Sequence, residues 1–99
     1  MRVRVLPSAK VDLRHGIRFY EIQEEGLGAY FLDSLSADID SLQLLAGIHP
    51  MRRDQHRFLA ERFPYWIYYR IDGEVAYVVA VLDARQDPAK ILRREKIER

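Results

Sequence analysis

The hydrophobic and polar positions fall into stretches of two different periods. Residues 65–71 are almost all aromatic or β-branched, the residue types that fit a pleated, half-buried surface. Residues 75–82 are apolar at every position, which suits a central strand covered on both faces. Asp72-Gly73 lies between the two runs and predicts a two-residue type I′ turn, which needs positive φ at both central positions. The pattern therefore predicts a β-hairpin. Alternation puts Tyr65, Ile67, Tyr69 and Ile71 on one face and Trp66, Tyr68 and Arg70 on the other. One face can lie under helices, and the other is expected to be a partly open aromatic surface.

Elsewhere the period is mostly helical. Arg2, Val3, Arg4 and Val5 alternate as a short half-exposed strand that Pro7 stops. Ser8 is the expected N-cap of a first helix. Its apolar positions are Ala9, Leu13, Ile17 and Tyr20, its polar ones Lys10, Asp12, Arg14 and Arg18, and it should end near Gly26. A second helix is expected from Leu27 or Gly28 to Gly47, with Phe31, Leu35, Ile39, Leu42 and Ala46 as its stripe. So short a connection makes an antiparallel αα-hairpin, whose stripes need the sheet as cover.

Residues 48–56 read as a loop, and residues 58–63 as a strand with Phe58 and Ala60 on one face and Leu59, Glu61 and Phe63 on the other. Asp87 at the N-cap and Pro88 at the first helical position start a last helix over about residues 88–97, basic through Lys90, Arg93, Arg94 and Lys96. The order is β-α-α-β-β-β-α. This is an α+β fold, with the helical hairpin on one face of a small, mostly antiparallel sheet. Its 99 residues are expected to form one domain, 1–99.

Composition narrows the chemistry. The chain has no cysteine, which excludes disulfides and thiolate metal sites. No apolar run is long enough to span a bilayer, and residues 1–6 carry no signal-peptide core, so a cytoplasmic protein without a membrane partner is expected. The net charge of +1 hides an asymmetry: residues 20–47 hold six acids and no Lys or Arg, and the flanks are basic. That reads either as a solvated helix face or as a surface meeting two different partners. His15, His49 and His56 have no ligand spacing and are expected to be exposed polar residues; no metal and no cofactor is expected. There is no Ser-His-acid constellation and no glycine-rich loop after a strand. Arg52, Arg53, His56, Arg57 and Arg62 lie near Tyr65, Trp66, Tyr68 and Tyr69. Guanidinium groups bind phosphates and aromatic rings stack bases, but the same residues also suit a plain core with solubilising arginines.

The run Phe63-Pro64-Tyr65-Trp66-Ile67-Tyr68-Tyr69-Arg70-Ile71, leading through a hairpin to Ala80-Val81-Leu82-Asp83-Ala84-Arg85-Gln86-Asp87-Pro88, resembles the RelE/ParE toxin superfamily, and its ParE-like members more closely. The resemblance covers nearly the whole chain. It implies the fold reached above and a toxin of a type II toxin–antitoxin system, active in plasmid stabilisation and held in a hetero-oligomer with a cognate antitoxin. RelE-like members cut mRNA on the ribosome with a Lys/Arg cluster and a C-terminal Tyr; ParE-like members inhibit DNA gyrase. Here Ile91 falls where that Tyr would be and Trp66 where the nucleases carry an Arg. ParE-like members commonly read His-x-Arg-Arg-Asp-Pro after the last strand; this chain has Asp83 for the His and Gln86 for the second Arg.

The resemblance thus implies a non-enzymatic inhibitor of DNA gyrase. Its alternatives are a ribosome-dependent mRNA endoribonuclease, with Arg85, Arg57, Arg62 and His56 as catalytic candidates, and an inactive homologue that only binds antitoxin. Target-binding candidates are Arg85, Lys90, Arg93 and Arg94. Antitoxin-binding candidates are Phe19, Tyr20, Tyr30, Trp66 and Tyr68.

Overall fold

A computed structural model describes residues 1–97 of the chain. Five strands, β1 (Arg2–Val5), β2 (Met51–Arg52), β3 (Gln55–Leu59), β4 (Tyr65–Asp72) and β5 (Val75–Asp83), form one sheet in the order β1-β5-β4-β3-β2. All pairs are antiparallel except β1 with β5. Helices α1 (Pro7–Gln23) and α2 (Leu27–Asp40) pack on one face, and a short α3 (Leu42–Leu45) follows them. Helix α4 (Pro88–Ile97) lies on the other face, where Ile91 meets Tyr68, Val79, Ala80 and Leu82. Strand β5 is apolar throughout because it is an interior strand, paired with β4 along its length and with β1 over its first half, and helices cover both its faces.

A bulge hides the alternation of β5. Tyr68 pairs with Ala80 and Tyr69 with Val78, which leaves Val79 as an extra residue. Ala76 and Val78 face α1 and α2, but beyond the bulge Val81 takes that face, while Val79, Ala80 and Leu82 face α4. Strand β4 keeps its expected alternation: Tyr65, Ile67 and Tyr69 lie in the core under the helical hairpin, and Trp66 and Tyr68 face α4.

The helical hairpin closes tightly because glycines sit where its helices touch. A Cβ on Gly16 would come within 2.4 Å of the Phe31 ring, and one on Gly28 within 2.8 Å of the Ile17 carbonyl oxygen. Glu21 of α1 accepts hydrogen bonds from the Gly26 and Gly28 N–H groups at 3.0 and 2.9 Å. It thereby satisfies donors that open the next helix, and these bonds hold its carboxyl below the usual range.

Several expected boundaries move. The N-cap of α1 is Leu6, with Pro7 at the first helical position; Ser8 already lies inside the helix, and its hydroxyl donates to the Val79 carbonyl at 2.6 Å. The second helix breaks at Ser41, whose hydroxyl donates back to the Asp38 carbonyl at 2.6 Å. The expected loop 48–56 contains a small hairpin instead: Arg53 and Asp54 adopt φ of 51° and 69° and turn β2 into β3. The strand expected at 58–63 is accordingly β3, ending at Leu59. The chain leaves the ladder before Pro64, so Phe63 falls in the same core as Phe58 and Ala60. In the β4–β5 turn Asp72 pairs with Val75, so the two turn residues are Gly73 and Glu74. Only Gly73 has positive φ, 60°, the signature of a type II′ turn. Asp87 caps α4 as expected, accepting the Ala89 N–H at 2.9 Å.

Candidate functional site

On the α4 face of the sheet one carboxylate gathers three arginines. Glu95 is 2% exposed, far more buried than an unpaired acid would be. The Tyr68 hydroxyl donates to its Oε2 at 2.6 Å and Arg52 Nε donates to the same oxygen at 2.7 Å. Arg57 Nη1 lies 3.5 Å from Oε2 and Arg53 Nε 3.5 Å from Oε1. Among the described residues Oε1 finds no hydrogen-bond partner. Arg57 also stacks on Trp66, 3.7 Å from the ring centroid. Burial pushes the Glu95 carboxyl up, but the Tyr68 hydroxyl, Arg52 and Arg57 outweigh it and hold the group below its ordinary range. The same environment, burial first and then the bond to Glu95, pushes the Tyr68 phenol up to about 12. The turn at Arg53 and Asp54 is what brings Arg52, Arg53 and Arg57 to one place. Beside them a groove of about 360 Å³ is lined in part by Arg52, Arg57 and Trp66.

Arg85 occupies a different place. Its Nε and Nη2 donate to the two Asp83 oxygens at 3.0 Å each, and Nη2 also donates to the Tyr20 hydroxyl at 3.1 Å. Burial raises the Asp83 carboxyl, and the Arg85 hydrogen bonds overcome this and lower it. Asp83 thus fixes the neighbouring arginine as a fork-to-fork pair. Among the described residues no hydrogen bond or ion pair links Arg85 or Arg62 to the Glu95 cluster.

The other candidates divide by exposure. Arg94 forms a two-point pair with Asp12, at 3.0 and 2.8 Å, whereas Lys90 and Arg93 are exposed on α4. Tyr20 and Tyr68 are core residues, so the α4 face is not the open aromatic surface expected of it: α4 covers Tyr68 and leaves Trp66 half-buried. Phe19 and Tyr30 are each 49% exposed. They flank the aromatic core through Phe19–Tyr20 and Tyr30–Phe63 ring contacts at 5.0 and 5.6 Å. His15 is exposed as expected, but His49 and His56 are half-buried. The Gly47 N–H donates to Tyr69 Oη at 2.9 Å, which leaves the phenolic proton for His49 Nδ1 at 2.6 Å. His56 Nδ1 donates to the His49 carbonyl at 2.7 Å. Burial, and secondarily His56, lowers the His49 pKa.

Glu95 and Asp12 are absent from the sequence-derived candidates. A signal existed for both. Glu95 stands four residues after Ile91, on the apolar face of an otherwise basic helix, and Asp12 stands three after Ala9, among the buried positions of α1.

A helical hairpin on one face of a small, mostly antiparallel sheet is the fold of the RelE/ParE superfamily. Residues 3–88 match the family described as the ParE toxin of type II toxin-antitoxin system, parDE, and the chain belongs to that family. A solved structure titled "Chromosomal ParDE TA system from P. aeruginosa" superposes with a TM-score of 0.71 at 16% identity, covering 86% of this chain and 97% of that one. At that identity the likeness speaks for the fold. No curated protein matches the chain. Among the described residues no helix is long and apolar enough to cross a membrane.

Proposed function

We propose that this chain is a cytoplasmic growth-inhibiting toxin that binds DNA gyrase, cuts no nucleic acid, and is neutralised by a cognate antitoxin. The observation that carries the reading is the state of the positions a ribosome-dependent nuclease would need. Ile91 is buried against Tyr68 and the β5 side chains, and Trp66 lies under Arg57; neither side chain can move a proton or carry charge. Tyr68 is no substitute, because its proton is engaged by Glu95 and its pKa is raised. A positioned acid or base contributes roughly 10²–10⁴-fold, so a site lacking one falls far below a working nuclease. The exposed Lys90 and Arg93, with Arg85 at the entry to α4, supply a basic surface for the target. The antitoxin is assigned to the helical-hairpin face, at the half-exposed Phe19 and Tyr30, and to the outer edge of β1, where a strand can add.

Purified toxin should abolish gyrase supercoiling and leave ribosome-bound mRNA intact. Codon-dependent cuts in ribosome-bound mRNA that vanish in Arg85→Ala would overturn this in favour of the endoribonuclease. Hydrogen exchange with and without antitoxin tests the second contact, and unchanged protection in residues 1–47 would exclude it.

A further inference from the structure

We propose that the outer face of the α1–α2 hairpin pairs with the same face of a second copy of this chain, α1 of each lying across α2 of the other. The hairpin sorts its charge by helix. Lys10, Arg14 and Arg18 are exposed along α1, and Asp33 and Asp40 along α2. Glu21, the exposed acid of α1, is occupied by the Gly26 and Gly28 N–H groups. Among the described residues no ion pair engages Lys10, Arg14, Arg18, Asp33 or Asp40, although the two helices are neighbours. A face with a basic ridge beside an acidic one is complementary to itself: laid on a second copy, each ridge meets its opposite.

Charge also selects the symmetry. A two-fold axis along the helices sets α1 against α2 of the second copy; an axis across them would set α1 against α1, base against base. An axis along the helices preserves height. Gly16 abuts Phe31, and the helices run in opposite directions, so Arg14 and Asp33 stand level with each other. Arg14 of one copy therefore faces Asp33 of the other, and the symmetry makes this pair twice. Shape agrees with charge. Helix α2 is low at Ala29 and Ala37, one turn to either side of Asp33, while Arg14, Arg18 and Ile22 of α1 rim a groove of about 580 Å³. Val11 and Ile22, 40% and 79% exposed, supply apolar area that pairing removes from water. Helices of 17 and 14 residues offer a face of about 500 Å² per copy, at the lower end of specific interfaces. The pair should therefore be weak and sensitive to salt. Tyr30, given above to the antitoxin, lies on the same helix, so the paired form belongs to the antitoxin-free chain. The pairing goes beyond the gyrase reading and does not depend on it.

The test is analytical sedimentation of the chain alone across a concentration and a salt series. The native chain should pass from monomer to dimer as its concentration rises, and high salt should return it to monomer. Asp33→Arg sets a like charge against Arg14, and Arg14→Asp sets one against Asp33. Acting at two symmetric contacts, each should weaken self-association about tenfold. An equal mixture of the two variants should pair again, because each offers the charge the other needs; this recovery also shows that both are folded. The double variant, Arg14→Asp with Asp33→Arg, keeps the native net charge and should restore the homodimer. A native chain that stays monomeric at the highest concentration would overturn the proposal, as would a dimer that the single variants leave intact or the double variant fails to restore. Single variants that bind antitoxin less well, with no dimer in the native chain, would overturn it in favour of the antitoxin as the occupant of this face.

Discussion

Asp12 and Arg94, 82 positions apart in sequence, are joined by two hydrogen bonds of 3.0 and 2.8 Å, and the same Asp12 carboxylate accepts the Val81 N–H at 3.0 Å. Strand β1 has four residues and β5 nine, so the far half of β5 has no strand on that edge. Side chains of α1 take over: Ser8 donates to the Val79 carbonyl and Asp12 accepts from Val81. One carboxylate thus ties α1, the open edge of β5 and α4 together.

Asp12→Ala should lower stability by about 2–3 kcal/mol, because it orphans a buried backbone donor and an arginine at once. Arg94→Ala should cost less, since Arg94 is a third exposed and solvent screens it. Urea denaturation of both variants measures the difference. In the gyrase assay proposed above, Arg94→Ala should behave as the native chain does once corrected for folding, which separates Arg94 from Lys90 and Arg93.

Arg85→Ala should weaken growth inhibition with little loss of stability. The Arg85–Asp83 pair is half exposed on the arginine side, and such pairs are worth about 0–1 kcal/mol. Growth inhibition and thermal melting are to be measured on the same variant. Full toxicity with a lowered melting point would assign Arg85 a purely structural role.

Gly16→Ala should destabilise the fold even though alanine is the better helix former. The propensity gain is about 1 kcal/mol. It is opposed by a contact of 2.4 Å with Phe31, whose ring is fully buried and packed by Tyr20, Phe63 and Tyr65. Overpacking of this kind costs about 1–3 kcal/mol, so a net loss in the urea midpoint is expected.

Two groups should give the stability a pH signature of the same sign. The Glu95 carboxyl is lowered in the fold, so the unfolded chain takes up its proton first as the pH falls. Its contribution is whole above about pH 5 and is lost as the pH drops below the ordinary carboxylate value of about 4.3. The stability difference between the native chain and Glu95→Gln should therefore be flat near neutrality and shrink in acid. His49 is also lowered, and its neutral Nδ1 accepts from Tyr69. Its contribution is whole above about pH 7 and declines as the pH falls below about 6.5. His49→Asn keeps an acceptor near the Nδ1 position but cannot titrate. Its stability should fall less than the native chain's between about pH 7 and 5. Equal slopes would remove His49 from the account.

The sequence alone determined what local rules decide. The aromatic run of β4, the apolar run of β5, the Asp87-Pro88 start of α4 and the two helical stripes all carry their own period or cap, and together they sufficed for the α+β architecture. Short-range signals failed where a partner far along the chain set the outcome. Ser8 reads as a cap, but Pro7 already opens the helix and the Val79 carbonyl claims the Ser8 hydroxyl. Residues 51–52 are the exception, since their partners Gln55 and His56 are local; the left-handed turn that pairs them, at Arg53 and Asp54, carries no glycine to announce it. The bulge at Val79 exists only in the register of β5 against β4. Charge shows the same division. A basic helix and a basic loop are visible as composition. That Glu95 is buried between them, and that Asp83 and Asp12 each hold one of the candidate arginines, depends on which side chains meet when the sheet is assembled. Periodicity reports which face of an element is apolar; the partner of a buried charge is decided by tertiary contact, because desolvation is tolerated only where an opposite charge or a hydrogen-bond donor is delivered to it.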